Sequence, residues 1–216
     1  MTPTEFIAAA RRKYNAVGNT FYSDTEILDL LYQVEGEMAR YAYTIEVAPN
    51  SSTSTVVGTR GYAIPSRTLS ISRLTYDGSK LQPISFREDD AITSLSEDTT
   101  TTGTPLFYEL WADTVYLRPV PNAIKVLKFY TYGEPAVLTI SDTIETPTRF
   151  HMDLVDGVVA ELMYKDENAA IGDRYRKRFD VHLEEARKWQ RRRRRGDSFA
   201  TVKDEEALNR SILGVI

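Results

Sequence analysis

The sequence predicts an α+β protein: a helical bundle formed by both ends of the chain, an inserted small antiparallel β-sandwich or barrel, and an extended C-terminal tail. Apolar residues recur at helical spacing near both ends of the chain. Between these regions, short runs rich in β-branched and aromatic residues alternate with turn signals. We therefore predict a helical bundle domain from residues 1–44 and 146–195, a β domain at 45–145, and a docking tail at 196–216.

Two capped helices are predicted at the N-terminal end. Thr2, Pro3 and Glu5 supply a cap hydroxyl, a proline suited to the first turn and a carboxylate that reaches back to the cap. A second capping box begins at Ser23, with Glu26 three residues later. The short segment between the two patterns favours an antiparallel helix pair.

The middle of the chain is predicted to form short strands. The β-rich runs are at residues 54–64, 69–76, 80–86, 106–110, 114–118 and 124–132. Asp77-Gly78 predicts a tight hairpin turn, because glycine supplies the positive φ that such turns need. Ala112-Asp113 predicts a second hairpin. The polar stretch at 94–104 is interpreted as an exposed loop.

Two further helices are predicted towards the C-terminal end. The first begins with a cap at Thr146 and Pro147 in the first turn, and its apolar stripe runs to about residue 163. After a break near residues 165–172, a second apolar stripe contains Tyr175 and Trp189. Because each amphipathic stripe needs a partner, the terminal segments are expected to pack together.

Composition narrows the classes of function. The 216 residues include no cysteine, which excludes disulfides, thiolate metal sites and thiol nucleophiles. The N-terminal residues resemble neither a signal peptide nor a membrane span. His151 and His182 have no metal-ligand spacing. Carboxylate pairs such as Asp153 with Asp156 are interpreted as a solvated face or a helix cap. We expect no enzymatic activity, no metal and no cofactor, and a structural hydrogen bond from His151.

A run of five arginines ends the last predicted helix. Residues 174–195 hold eleven Lys or Arg against three acids, a net charge of +8, whereas the whole chain carries −4. This asymmetry indicates a polyanion or an acidic subunit as partner. The run has three interpretations. It could be a solvated helix end whose charge complements the helix dipole, or it could contact DNA phosphates. In the third interpretation, its guanidinium groups bind carboxylates of another subunit. The net charge of −12 on the rest of the chain favours the subunit contact, because DNA-binding proteins usually present a basic surface over much of the fold.

The tail after the arginine run carries spaced apolar residues that have no place in the predicted fold. We expect the tail to be disordered alone and ordered against a partner, at an entropic cost that its apolar anchors offset. The residues expected to dock are Arg191, Arg192, Arg193, Arg194, Arg195, Phe199, Val202, Leu208, Ile212, Leu213 and Ile216. In the DNA interpretation, the expected contacts are Lys188, Arg191, Arg194 and Arg195.

Several turn and cap elements follow one another in an order that is typical of a known family. In chain order they are the helix start at 23–28, Thr-X-X-Tyr-X-Ile-Pro at 59–65, Ile-Ser-Arg-Leu-Thr-Tyr-Asp-Gly at 71–78, Gly-Thr-Pro-Leu-Phe-Tyr at 103–108, Leu-Arg-Pro-Val-Pro at 117–121 and Phe-His at 150–151. The series resembles the head-to-tail adaptor (connector) proteins of tailed bacteriophages, and it covers residues 1 to about 195. Each element alone is a common turn or cap, so the resemblance rests on their order.

The resemblance implies a structural virion protein without enzymatic activity, made in the host cytoplasm and located in the neck between capsid and tail. Identical subunits, commonly twelve, would form a ring under the portal, extend the DNA channel and offer a platform for tail or nozzle proteins. The C-terminal helix and tail would engage the portal protein, and the β insertion would face outward or toward the tail. The arginine run is longer than the family pattern leads us to expect, which leaves both portal protein and channel DNA open as its partner. The rival functions are a neck or tail-completion protein of another fold and a nucleic-acid-binding module.

Overall fold

The computed structural model describes residues 1–15, 21–85, 87–88 and 101–195. It has mixed α and β structure, as the sequence predicts. The α-helices of the described residues are α1 (Pro3–Tyr14), α2 (Asp24–Ala42), α3 (His151–Lys165) and α4 (Ala169–Arg195). A 3-10 turn (Thr148–Phe150) precedes α3.

Local hydrogen bonds explain where the first two helices begin. Thr2 Oγ1 accepts a hydrogen bond from the Glu5 backbone N–H at 3.2 Å, and Glu5 Oε2 accepts one from the Thr2 N–H at 2.8 Å. Ser23 Oγ accepts a hydrogen bond from the Glu26 N–H at 3.2 Å. These bonds satisfy amide groups that have no acceptor within the first turn. Both predicted N-caps are therefore confirmed, but the capping box is complete only at Thr2. At the second helix the Glu26 carboxylate instead accepts a hydrogen bond from Lys165 Nζ at 2.7 Å.

The helices share one buried apolar cluster. It includes Phe6 and Ile7 of α1, Leu31 and Val34 of α2, Leu154 and Val158 of α3, and Phe179 and Leu183 of α4. The helices approach closely at Gly157, where an added Cβ would lie 2.5 Å from Val34 Cγ1 and 3.2 Å from Phe179 Cδ2. A side chain there would force the closely packed helices apart. The segment after the last strand joins this cluster through Leu138 and Ile144.

Among the described residues, the strands form two four-stranded sheets and one two-stranded sheet. In chain order they are β1 (Glu46–Ser54), β2 (Gly61–Ala63), β3 (Thr68–Tyr76), β4 (Ser79–Lys80), β5 (Gln82–Pro83), β6 (Thr102–Gly103), β7 (Phe107–Trp111), β8 (Thr114–Arg118), β9 (Val120–Pro121) and β10 (Val126–Gly133). The first sheet has the order β1-β10-β3-β4 and the second has the order β2-β8-β7-β5, while β6 pairs with β9. Both four-stranded sheets contribute to a second apolar cluster, which includes Leu74, Val115, Leu117, Leu127 and Phe129. We call α1–α4 the helical part and β1–β10 the β part.

Two tight turns set strand pairings that the sequence predicts. Asp77 and Gly78 have positive φ angles of 48° and 83° and connect β3 to β4. Ala112, with a φ of 47°, lies in the turn between β7 and β8, where Leu110 pairs with Val115. Both hairpin predictions are confirmed.

Other predictions for the middle of the chain are wrong in detail. The single strand predicted at 54–64 is the end of β1, a turn and β2, because Gly58 takes a φ of 77° that interrupts the extended chain. The strand predicted at 80–86 overlaps only the short strands β4 and β5. The pairing is not purely antiparallel, since β5 with β7 and β6 with β9 are parallel. In addition, β6 lies inside the predicted loop at 94–104.

The predicted N-cap at Thr146 is wrong as well. The Thr146 N–H donates to Glu35 Oε1 at 2.7 Å, and its carbonyl oxygen accepts a hydrogen bond from His151 Nε2 at 2.7 Å. A 3-10 turn after Pro147, without a side-chain cap, leads into α3. Buried partners in the folded chain therefore take the place of a local cap. The predicted structural hydrogen bond of His151 is confirmed, and burial lowers the pKa of this histidine.

Candidate docking site at the end of α4

The helix that ends in the arginine run is anchored along its apolar stripe. Phe179, Leu183 and Ala186 are buried in the helical cluster. Trp189 continues this side of α4 and packs edge-to-face on Phe150, with ring centroids 5.2 Å apart. The last turns of α4 therefore have a fixed position relative to the start of α3.

Two arginines of the run bind the β part of the same chain. Arg193 Nη2 donates to Glu46 Oε2, at the start of β1, over 3.0 Å. The Arg194 guanidinium lies over the rings of Tyr132, in β10, and Tyr43, at 4.4 and 4.9 Å from their centroids. Exposed ion pairs and cation–π contacts of this kind contribute up to about 1 kcal/mol each. These contacts fasten the end of α4 to the first sheet.

The other described cations near the end of α4 differ from Arg193 and Arg194 in their contacts. Lys188, Arg191 and Arg192 are exposed, and none of them is at ion-pair distance from a carboxylate in the described part of the chain. The run that was predicted as one docking surface therefore contains an internally bonded pair, Arg193 with Arg194, and an exposed pair, Arg191 with Arg192. The side chain of Arg195 and the predicted tail residues lie outside the described residues, namely Phe199, Val202, Leu208, Ile212, Leu213 and Ile216.

Cations in the middle of α4 are also bonded within the chain. Arg176 makes a bidentate contact with Glu37 of α2, and its Nε lies 3.0 Å from Asp180 Oδ1. The hydrogen bond to Glu37 is the main cause that raises the pKa of Arg176 above its usual value. Arg187 Nη1 donates to the Tyr41 hydroxyl at 3.2 Å. Part of the positive charge of α4 is therefore neutralised inside the protein.

A charged cluster joins α1, α3 and α4. Asp156 is 5% exposed and lies between Lys13 Nζ, 2.5 Å away, and His182 Nε2, 3.7 Å away. Asp153 Oδ1 lies 3.4 Å from His182 Nδ1, and burial raises the pKa of Asp153. The interpretation of this carboxylate pair as a solvated face is wrong for Asp156, because its side of α3 faces the other two helices. Within the described ranges, no group of His, Asp and Glu is arranged to hold a metal ion.

The partners of Arg193 and Arg194 were not predicted. Glu46, Tyr43 and Tyr132 lie far from α4 along the chain, so no local spacing points to them. The abundance of tyrosine, 13 of 216 residues, is the one signal in the sequence, because tyrosine rings suit contacts between surfaces.

The helical part, the β part and the charged helix end define a mixed α+β protein with a cationic surface at the end of its last helix. A model of the SU10 adaptor protein family matches residues 1–202, and the chain belongs to that family. The predicted resemblance to phage head-to-tail adaptors is confirmed. The protein is accordingly a structural component of a phage virion that interacts with other virion proteins. A comparison with curated proteins gives no match. No helix in the described ranges is long and apolar enough to span a bilayer.

Proposed function

We propose that the protein forms a ring of about twelve identical subunits under the portal vertex, where it extends the DNA channel and provides the platform for tail proteins. Membership of the adaptor family supports this role. The observation that carries the proposal is the exposed pair, Arg191 and Arg192, at the end of a helix that is anchored along the rest of its length. Two adjacent guanidinium groups with no carboxylate at ion-pair distance among the described residues are suited to charge-assisted hydrogen bonds with carboxylates of a portal protein.

The proposed docking surface combines the arginine run with the apolar residues of the tail at 196–216. In this arrangement, the exposed pair makes the first contact, because Arg193 and Arg194 must first exchange their bonds to Glu46, Tyr132 and Tyr43. The apolar tail residues would then bury surface on the portal, which offsets the entropy lost when a chain segment is ordered.

The three-part domain division is proposed on similar grounds. The helices and the strands each have their own apolar cluster, which supports separate helical and β domains. Leu138 and Ile144 pack into the helical cluster, which supports assigning the segment after β10 to the helical domain. The tail as a third unit stays a prediction.

Docking is tested by mixing the full chain with purified portal rings and measuring the mass of the complex. We expect the complex to contain a full ring of adaptor subunits even where the free protein is smaller. The double variant Arg191→Gln/Arg192→Gln should bind portal at least about 10-fold more weakly, because well-formed charge-assisted bonds are worth roughly 1.5 to 3 kcal/mol each. A chain truncated after residue 195 should also dock more weakly, with a nearly unchanged thermal transition.

The matched control is Arg193→Gln/Arg194→Gln, which removes the same charge from the internally bonded pair. It should weaken docking less than the exposed-pair variant. Failure of the wild-type chain to bind any portal ring would overturn the proposed function. Normal docking of the exposed-pair variant, combined with particles that lose their DNA, would instead assign the run to channel DNA, with Lys188, Arg191, Arg194 and Arg195 as the contacts.

A further inference from the structure

The acids and the exposed cations of α4 differ in their contacts within the chain. Each acid of α4 has a partner within the chain: Asp173 with Tyr164, Asp180 with Arg176, Glu184 with Arg187 and Glu185 with His182. Before the arginine run, the exposed cations that have no carboxylate at ion-pair distance in the described part of the chain are Arg174, Lys177, Arg178 and Lys188. We call these four residues the α4 stripe. Glu185, whose side chain is 64% exposed, lies on the same side of the helix as the stripe and is 3.7 Å from His182. The four cations of the stripe outnumber this one acid, so the stripe presents a net positive charge to solvent.

The α4 stripe lies along one side of the helix. At 3.6 residues per turn, its four positions fall within about 100° of one another, on the side opposite to the buried Leu183 and Ala186. At a rise of 1.5 Å per residue, the stripe is about 21 Å long. The Arg178 guanidinium lies over the Tyr175 ring at 5.5 Å from its centroid, which limits the freedom of that side chain. The stripe is therefore a row of cations on a rigid support.

We propose that the α4 stripe binds the phosphate backbone of duplex DNA without reading its sequence. Duplex DNA carries one negative charge per about 1.7 Å of its axis, so a row of about 21 Å meets phosphates in any orientation. A protein partner fits the stripe less well, because the cores of protein interfaces are enriched in apolar and aromatic residues and depleted in lysine. The exposed apolar residue between the cations of the stripe is Val181, and two of its four cations are lysines.

Arg192 follows Lys188 by four residues on the same side of α4, so the stripe leads up to the exposed pair. The proposal adds a DNA contact to the proposed docking on the portal. DNA binding is measured on the isolated chain, whereas docking needs a portal ring. A failed DNA-binding experiment therefore does not contradict docking on the portal, and a failed docking experiment does not contradict DNA binding.

The test measures the fluorescence anisotropy of a labelled duplex of about 30 base pairs titrated with the full chain at several salt concentrations between about 50 and 200 mM. Each phosphate that the protein neutralises contributes about −0.9 to the slope of log K against log salt. The variant with Arg174→Gln, Lys177→Gln, Arg178→Gln and Lys188→Gln should therefore lose about 3.6 from the magnitude of this slope. It should also bind the duplex at least about 10-fold more weakly at the lowest salt concentration.

The matched control removes three cations of the first sheet and Lys125, which precedes β10, and gives the same net charge. Its substitutions are Arg73→Gln, Lys80→Gln, Lys125→Gln and Lys128→Gln. The control should keep the slope of the wild-type chain, whereas an equal loss in both variants would overturn the proposal in favour of a net-charge effect. Wild-type binding to poly-glutamate but not to the duplex would overturn it in favour of an acidic protein partner.

Thermal unfolding checks that the variants fold. If the fourfold variant does not fold, the single variants Lys177→Gln and Lys188→Gln are measured instead. Each should lower the magnitude of the slope of log K against log salt by about 0.9.

Discussion

Glu35 of the helical part and Glu109 of the β part are both buried carboxylates, but their partners differ. Glu35 of α2 is fully buried, and its Oε1 accepts the Thr146 N–H at 2.7 Å. No cation in the described part of the chain is at ion-pair distance from Glu35, and burial raises its pKa. Glu109 of β7 is 1% exposed, but Arg60 Nη2 lies 2.9 Å from its Oε2.

A buried acid can be compensated in two ways. Removing a carboxylate from water costs several kcal/mol unless a proton or a cation compensates. In the helical part this cost falls on the ionised form, so the site favours protonated Glu35. In the β part the guanidinium of Arg60 stabilises the ionised form of Glu109. We therefore expect stability to depend on pH through Glu35 and on the presence of Arg60 through Glu109.

The largest effect is expected from Arg60→Ala. Removing one partner of a buried ion pair destabilises a protein by about 3 kcal/mol, because the other charge remains away from water. Urea unfolding at neutral pH measures this loss. Arg73→Ala is the control, since Arg73 is exposed on the first sheet and stacks on Tyr130 at 5.7 Å. It should cost only about 0.5 kcal/mol. Equal losses in the two variants would remove the distinction between the buried and the exposed guanidinium.

A smaller, pH-dependent effect is expected from Glu35→Gln. In the native state the pKa of Glu35 is raised above its ordinary value of 4.5, so the folded chain keeps the Glu35 proton to higher pH than the unfolded chain does. The free energy of unfolding of the wild-type chain should therefore fall as pH rises from about 4.5 through the raised pKa. Glutamine carries no charge, and its amide oxygen can still accept the Thr146 N–H. The free energy of unfolding of the variant should therefore not fall in this pH range, and at pH 8 it should be about 1 kcal/mol higher than that of the wild-type chain.

The control for this prediction is Asp29→Asn, which changes an exposed carboxylate on the same helix. Unfolding free energies measured from pH 4 to 8 should show parallel curves for Asp29→Asn and the wild-type chain. Parallel curves for Glu35→Gln and the wild-type chain would mean that Glu35 is ionised in the native state.

The same comparison shows which parts of the fold the sequence predicts. Capping at Thr2 and Ser23 and the Asp77-Gly78 hairpin depend on neighbouring residues, and all three predictions are confirmed. The contact that replaces the predicted Thr146 cap comes from Glu35, which lies 111 residues away. Such a partner leaves no spacing pattern, so local signals could not reveal it.

The candidate site shows the same limit. The sequence identifies the cations of the arginine run, but it does not show which of them are bonded within the chain. The ion pair of Arg193 with Glu46 joins residues 147 positions apart. Helical geometry correctly indicates that five adjacent arginines cannot share one side, but only the folded chain separates the exposed pair from the bonded pair. The roles of both pairs in docking stay predictions.

The smallest effect is expected where the charges are exposed, at the end of α4. Arg193→Gln/Arg194→Gln removes the ion pair to Glu46 and the contacts with Tyr132 and Tyr43, and it should lower the unfolding free energy by about 1 kcal/mol. Arg191→Gln/Arg192→Gln removes two charges that have no carboxylate at ion-pair distance in the ranges that the structure describes. Stability should therefore stay within about 0.5 kcal/mol of the wild-type value. Urea unfolding of both variants at low and high salt measures the difference, which should shrink as salt screens the exposed ion pair. If both double variants lost the same stability at every salt concentration, the bonds of Arg193 and Arg194 would not contribute to the fold. The run would then act as one uniformly solvated surface.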